Sequence, residues 1–267
     1  MHRALHKSLL RLLLLAGFGY LGLCGLVFAT QRSLIYLPQP RTLPAGPALM
    51  SLQAGDVRLQ LSVRGRTHAP ALIYFGGNAE DVSLSVDALA AAFPQHALYL
   101  LHYRGYGGSE GAPTEAALFS DALAVHAHVA ARHPRVSVIG RSLGSGVAVY
   151  LASRREVESL LLVTPFDSIA ALASRQFPFL PVRWLLLDRY DSAAYAPAVR
   201  APTRILVAER DQVIPPVHSQ RLLQAFAPGV AELRVLAGVG HNSIAGHPDY
   251  LRQLTLPIER QGRAPAE

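Results

Sequence analysis

Cysteine is almost absent. Cys24 is the only one in 267 residues, which excludes an internal disulfide and any thiolate-based metal site. Charge is sparse at 16% of residues, and Lys7 is the sole lysine. Acidic residues are missing from the first 41 positions, where Arg3, Lys7, Arg11, Arg32 and Arg41 lie. Five of the 25 basic residues therefore sit in that stretch, leaving 20 against 18 acidic ones elsewhere. The net charge of +7 is an N-terminal feature, and no basic run with interleaved aromatics occurs in the chain, so a nucleic-acid partner is not expected. The chain contains no Walker Gly-Lys-Ser/Thr and no His-Glu-x-x-His, and its Gly-x-Gly-x-x-Gly match at Gly17, Gly19 and Gly22 lies inside a long uncharged apolar run and not between a strand and a helix. The pairs His126/His128 and His241/His247 have no carboxylate cluster beside them, so neither a metal nor a nucleotide cofactor is expected. What the chain has in quantity is apolar surface: 51% hydrophobic residues and a mean hydropathy of +0.24. That is enough for one large core and too much for a disordered chain.

Part of the excess is concentrated between Leu12 and Ala29, an uncharged run preceded by a basic segment at residues 1–11. As a helix, its eighteen residues rise about 27 Å, close to the hydrocarbon thickness of a bilayer. The run reads as a single-pass transmembrane anchor. A cleaved signal peptide ending near Val27-Phe28-Ala29 is an alternative, and a lipoprotein signal around Cys24 is a further one. Each of the three exports the rest of the chain, and a basic segment held inside places the C-terminal domain on the non-cytoplasmic, periplasmic side. Residues 30–47, with Pro38, Pro40, Pro44 and Pro47, read as a linker.

Alternation in Val57-Arg58-Leu59-Gln60-Leu61-Ser62-Val63 predicts a half-buried strand paired antiparallel with residues 48–53. Short apolar runs then recur at 71–75, 97–101, 136–140, 159–163 and 204–208. Helix-like segments separate them at 80–92, 114–132 and 143–154. Fully apolar strands alternating with helices mean a mostly parallel, doubly wound α/β sheet, placing one domain at 48–256. The gap from Val163 to Arg204 is long for a single crossover. It is expected to form a small helical lid at about 165–202, although two ordinary packing helices would also fill it. Residues 257–267 read as a disordered tail.

One strand runs straight into Gly140-Arg141-Ser142-Leu143-Gly144 and then a helix. Gly-x-Ser-x-Gly alone is weak, but strand before and helix after make it a nucleophile elbow. Ser142 then projects from a tight turn, Gly140 and Gly144 remove side chains that would collide, and the Leu143 N–H can hold an oxyanion. A serine hydroxyl needs a base. His241, in Gly238-Val239-Gly240-His241, comes after a strand around Leu233–Leu236, and Asp211 comes after the strand ending at Ala208. The order Ser, Asp, His suits this fold. Glu209 and Asp188 are lesser candidates for the acid, His247 and His102 for the base. The second oxyanion donor is expected from Asn78, in the loop Phe75-Gly76-Gly77-Asn78-Ala79.

These motifs, with Tyr103-Arg104-Gly105-Tyr106-Gly107-Gly108-Ser109-Glu110-Gly111, Gln31-Arg32-Ser33-Leu34-Ile35-Tyr36-Leu37-Pro38 and Phe179-Leu180-Pro181 through Asp188-Arg189-Tyr190-Asp191, resemble the abhydrolase-domain serine hydrolases. The subgroup is the one with an N-terminal membrane anchor and a serine-aminopeptidase-like domain. The resemblance spans roughly residues 10–255 and departs at Gly76, where the family usually has His. It implies an α/β-hydrolase fold and a substrate among acyl esters, lysophospholipids, lipid-linked thioesters or, less well matched, peptides. The expectation is a cofactor-independent hydrolase of a lipid-like acyl ester or thioester. An aminopeptidase-type serine peptidase and a catalytically silent membrane-tethered binding module stand as alternatives.

Overall fold

The apolar runs become strands because each is buried on both faces, where β-branched and Leu side chains pack best. The computed structural model describes residues 2–42, 48–66 and 68–258. In it, β1 (Ala48–Ala54), β2 (Val57–Arg64), β3 (Ala71–Phe75), β4 (Ala97–His102), β5 (Val136–Arg141), β6 (Leu160–Val163), β7 (Thr203–Ala208) and β8 (Ala231–Leu236) form one sheet. Its order is β1-β2-β4-β3-β5-β6-β7-β8. β2 runs antiparallel to both neighbours, and the six strands from β4 to β8 are parallel. Along β3, Ala71, Ile73 and Phe75 enter one core, while Leu72 and Tyr74 enter the other. The first core is covered by α3 (Glu115–Ala130) and α4 (Leu143–Arg154), the second by α2 (Val86–Ala92) and α9 (Tyr250–Thr255). The sheet order reverses between β3 and its neighbours β4 and β5, and ligands in such sheets bind beyond the carboxyl ends near that point.

Helix α1 (His2–Ile35) is longer than the apolar run, so the linker expected from residue 30 is corrected. Residues 30–35 stay helical, and Tyr36 is buried in the main core. Residues 37–42 then lie along the domain: Leu37 N donates to Asn78 O at 3.2 Å, Gly107 N to Gln39 O at 2.9 Å, and Thr42 N to Asp81 Oδ2 at 2.7 Å. The apolar surface of Tyr36 and the backbone partners along 37–42 overcome the turn propensity of the prolines. The rest of that expected linker, 43–47, lies outside the described residues. Helix α1 is long and apolar enough to cross a membrane, a test that an anchor and a signal sequence both pass.

The long crossover divides in two. α5 (Ile169–Gln176) has no buried residue and, with α6 (Val182–Leu185), lies over the strand ends beside α1. α7 (Ser192–Tyr195) instead packs on α4 and α8 (Pro216–Ala225), and Ser192, Ala196 and Val199 are buried. The expected lid of 165–202 is thus too long at its C-terminal end, where apolar side chains join the main core. The tail expected from residue 257 is corrected at its start. Arg204, 2% exposed, donates to the carbonyls of Gln253, Leu256 and Pro257, and Ile258 packs on the second core. Residues 259–267 lie outside the described residues.

Candidate active site

Ser142 occupies the junction of β5 and α4 with φ 51° and ψ −117°, a conformation that costs an L-residue on the order of 1–3 kcal/mol. The flanking glycines permit it. A Cβ on Gly140 would lie 2.6 Å from Ala148 Cβ, and one on Gly144 would meet the carbonyl oxygens of Phe75 and Gly76. The close approach is fastened by Gly144 N donating to Gly76 O at 3.1 Å and Ser142 N to Val163 O at 2.9 Å. Leu143 begins α4, so its N–H lacks an intrahelical acceptor. It lines the same cleft as Ser142.

Three side chains distant in sequence meet here. His241 Nε2 is 2.9 Å from Ser142 Oγ, and His241 Nδ1 is 2.8 Å from Asp211 Oδ2. The other Asp211 oxygen accepts the N–H groups of Val213 at 2.9 Å and Ile214 at 2.7 Å. These bonds fix the carboxylate with Oδ2 toward the imidazole. Asp211 and His241 are both buried. In that pairing Nδ1 carries its proton to the carboxylate and Nε2 is left facing the hydroxyl as an acceptor.

The lesser candidates are engaged elsewhere. Glu209 accepts Gly238 N at 2.7 Å, and Asp188 pairs with Arg32 at 3.0 Å. His247 accepts Asp249 N at 3.1 Å. His102 is buried under Gly107 with Ser62 Oγ 2.9 Å from its Nε2. Burial lowers its pKa to about 4.

Asn78 also lines the cleft. Its carbonyl accepts Tyr106 Oη at 2.7 Å and its side-chain amide donates to Ile35 O at 3.2 Å, so the end of α1 helps to hold this loop. The preceding turn is held by Glu80, which sequence reading missed. Its Oε2 accepts Gly77 N at 2.8 Å and Arg141 Nη1 at 3.1 Å. Its Oε1 accepts Tyr74 Oη at 2.7 Å and Ser85 Oγ at 3.0 Å. Burial first, then the charge of Glu80, raises the Tyr74 phenol well above its ordinary range and keeps it a donor. The same packing explains Gly76: a Cβ there would be 2.5 Å from Val82 Cγ1 and 3.2 Å from Glu80 Cδ, leaving no space for a histidine. Glu80 gave no motif signal, because one carboxylate three residues past a turn has many uses.

The cleft above Ser142 has a volume of about 660 Å³. Leu34 and Ile35 of α1, Ile169 and Leu172 of α5, Phe166 and Val213 give it apolar walls. A second buried pair, His218 Nδ1 and Asp167 Oδ1 at 2.6 Å, lies under α8, and neither residue lines the cleft.

No protein-family model matches the chain. An uncharacterized protein of Mycobacterium tuberculosis is 34% identical over 238 residues, covering 83% of this chain and 84% of its own length. The α/β-hydrolase domain-containing protein WAV2 of Arabidopsis thaliana is 28% identical, covering 77% of this chain and 79% of its own. The lysophosphatidylserine lipase ABHD12 of Danio rerio is 31% identical over 198 residues, which are 65% of this chain and 51% of that one. Among solved structures, the α/β-hydrolase enzyme MGS-M2 from a deep-sea metagenome superposes with a TM-score of 0.64 at 15% identity, over 82% of this chain and 99% of that one. Likeness over most of its length, with the strand order and directions of its sheet, makes this chain a member of the α/β-hydrolase superfamily.

Proposed function

We propose that this hydrolase cleaves an acyl ester or thioester of a lipid-like substrate through a covalent acyl-serine intermediate, and that α1 is an uncleaved membrane anchor. The observation that carries the reading is the continuous hydrogen-bonded chain from Asp211 through His241 to Ser142 at the floor of an open cleft. Ser142 Oγ adds to the acyl carbonyl while His241 Nε2 takes its proton. The N–H groups of Leu143 and Asn78 carry the resulting oxyanion. Collapse breaks the bond to the leaving oxygen or sulfur, which receives the proton from His241. Water, deprotonated by the same nitrogen, then adds to the acyl-enzyme and releases the acid and Ser142.

The apolar walls favour an acyl chain, and the lipase among the relatives points the same way. A peptidase of the aminopeptidase type needs a free carboxylate for the substrate's ammonium. The acids lining the cleft, Glu80 and Asp81, are already engaged by several donors each, which favours the ester reading. A contact from upstream of Ala29, Tyr20 Oη donating to Phe179 O at 2.8 Å, supports retention of α1.

A fluorophosphonate probe is the direct test. Wild-type protein should be labelled and Ser142→Ala should not; equal labelling of the two would refute the nucleophile.

A further inference from the structure

Beside the cleft lies a second, smaller cavity of about 160 Å³. One wall is the last two and a half turns of α1, with Val27, Leu34 and Ile35; the other is the crossover segment, with Ile169, Ala173 and Phe177. Leu34, Ile35 and Ile169 line both cavities, so the apolar surface is continuous from the neighbourhood of Ser142 outward along the helix. Among the described residues, the only polar side chain on the wall is Gln31, and its amide nitrogen and oxygen are both engaged. Its amide nitrogen donates to Phe28 O at 2.9 Å and Leu185 O at 3.1 Å, and its oxygen accepts Leu187 N at 2.7 Å. Nothing there is set to bind a polar group, and a dry apolar groove gains by taking an apolar ligand.

The outer end has a direction. Phe179 and Trp184 are 86% and 87% exposed; Tyr20 Oη donates to Phe179 O at 2.8 Å, and α6, which carries Trp184, contacts α1, so this segment lies beside the helix. Tyr20 lies near the middle of the apolar run, so this segment sits at hydrocarbon depth, where an exposed apolar ring is better placed than in water.

We propose that this groove is the acyl-chain subsite. One fatty acyl chain of a bilayer lipid lies between the C-terminal end of α1 and α5, entering from the membrane past Phe179 and Trp184 and bringing its carbonyl to Ser142. The membrane helix is then part of the substrate site. This inference rests on the hydrolase reading above.

Ala173 and Val27 line the groove from opposite walls and do not line the cleft that holds Ser142. The full-length protein in lipid nanodiscs, as wild type, Ala173→Trp and Val27→Trp, is assayed for kcat/KM with p-nitrophenyl laurate and p-nitrophenyl acetate. Acetate ends inside the cleft and is the internal reference. The ratio of laurate to acetate should fall at least tenfold in each variant, with acetate turnover within threefold of wild type. An unchanged ratio in both variants overturns the subsite, and so does a parallel loss of both esters. Val27→Trp sits on the apolar helix and leaves the folded domain intact, so a misfolded Ala173→Trp does not remove the test. A wild-type protein that neither takes the fluorophosphonate nor turns over acetate would sink the hydrolase reading itself. Labelling with an unaltered ratio would sink the groove alone.

Discussion

Glu80 offers a sharp test of how the loop that carries Asn78 is held. Both of its oxygens are occupied, and their donors differ in kind. Gly77 N–H and the Arg141 guanidinium, on Oε2, can only donate, whereas the Tyr74 and Ser85 hydroxyls, on Oε1, can turn and accept. Glu80→Gln can therefore place its oxygen toward Gly77 and Arg141 and its amide toward the hydroxyls, losing chiefly the charge assistance. That is worth ~1 kcal/mol, and kcat should fall by no more than about tenfold. Glu80→Ala strands Arg141, whose side chain is 20% exposed, and frees the turn before Asn78. Breaking a buried pair on one side costs about 3–5 kcal/mol; with Arg141 partly wet, the lower figure applies. At a few degrees per kcal/mol for a domain of this size, Tm should drop by roughly 6–12 °C. Losing an oxyanion donor outright costs about 10²–10³ in kcat, so a loosened one should cost about 10²-fold with KM little changed. Fluorophosphonate labelling rates, p-nitrophenyl acetate turnover and thermal melts read all three quantities. Alanine and glutamine variants with equal activity, or an alanine variant labelled at the wild-type rate, would refute the role given to Glu80.

The same geometry sets two other outcomes. Asp211→Asn keeps the shape of the carboxylate but no longer holds the Nδ1 proton, so kcat should fall by about 10³–10⁴-fold with the fold retained by circular dichroism; a loss under tenfold would exclude Asp211 as the orienting acid. His102 has a folded pKa of about 4, set chiefly by burial, against an ordinary 6.5. Between those values the unfolded chain takes the proton and the folded one does not, so its contribution is full above pH 6.5 and is lost as pH falls toward 4. The span sets an upper bound of ~3 kcal/mol. Urea midpoints at pH 7.5 and 4.5 should differ less in His102→Gln than in wild type, and equal differences would show that the imidazole does not titrate as described.

Much of this was legible in the chain. The β3, β4, β5 and β7 runs were readable because burial on both faces makes a strand uniformly apolar, and Ser142 and Asp211 because each comes after such a strand; His241 follows the half-exposed β8 and was readable from its glycine-flanked loop and its place in the chain order. The boundary at residue 30 was misread for a physical reason. Pro38, Pro40 and Pro44 signal turns locally, while the burial of Tyr36 and the partners of Leu37 and Thr42 are contacts across the fold that no local pattern records. Ala196 and Val199 escaped for the same reason: small apolar residues in a long crossover fit a lid or a core equally well until their neighbours are known. Glu80 was invisible because its importance lies in four donors drawn from Tyr74, Gly77, Ser85 and Arg141.

Helix α1 passes from its apolar run into the domain with no joint. The six residues from Thr30 to Ile35 continue the same rod for about 9 Å, and its end is clamped by Gln31, Arg32 and Tyr36. In a bilayer such a rod allows no swivel: the body carried on it keeps one height and one tilt, and turns only as the rod turns. For the anchored lipid hydrolase proposed above, encounter with substrate would be a search within a plane, governed by lateral diffusion, and a hinge of several glycines inserted after Ala29 would abolish that fixed attitude without touching a single atom near Ser142.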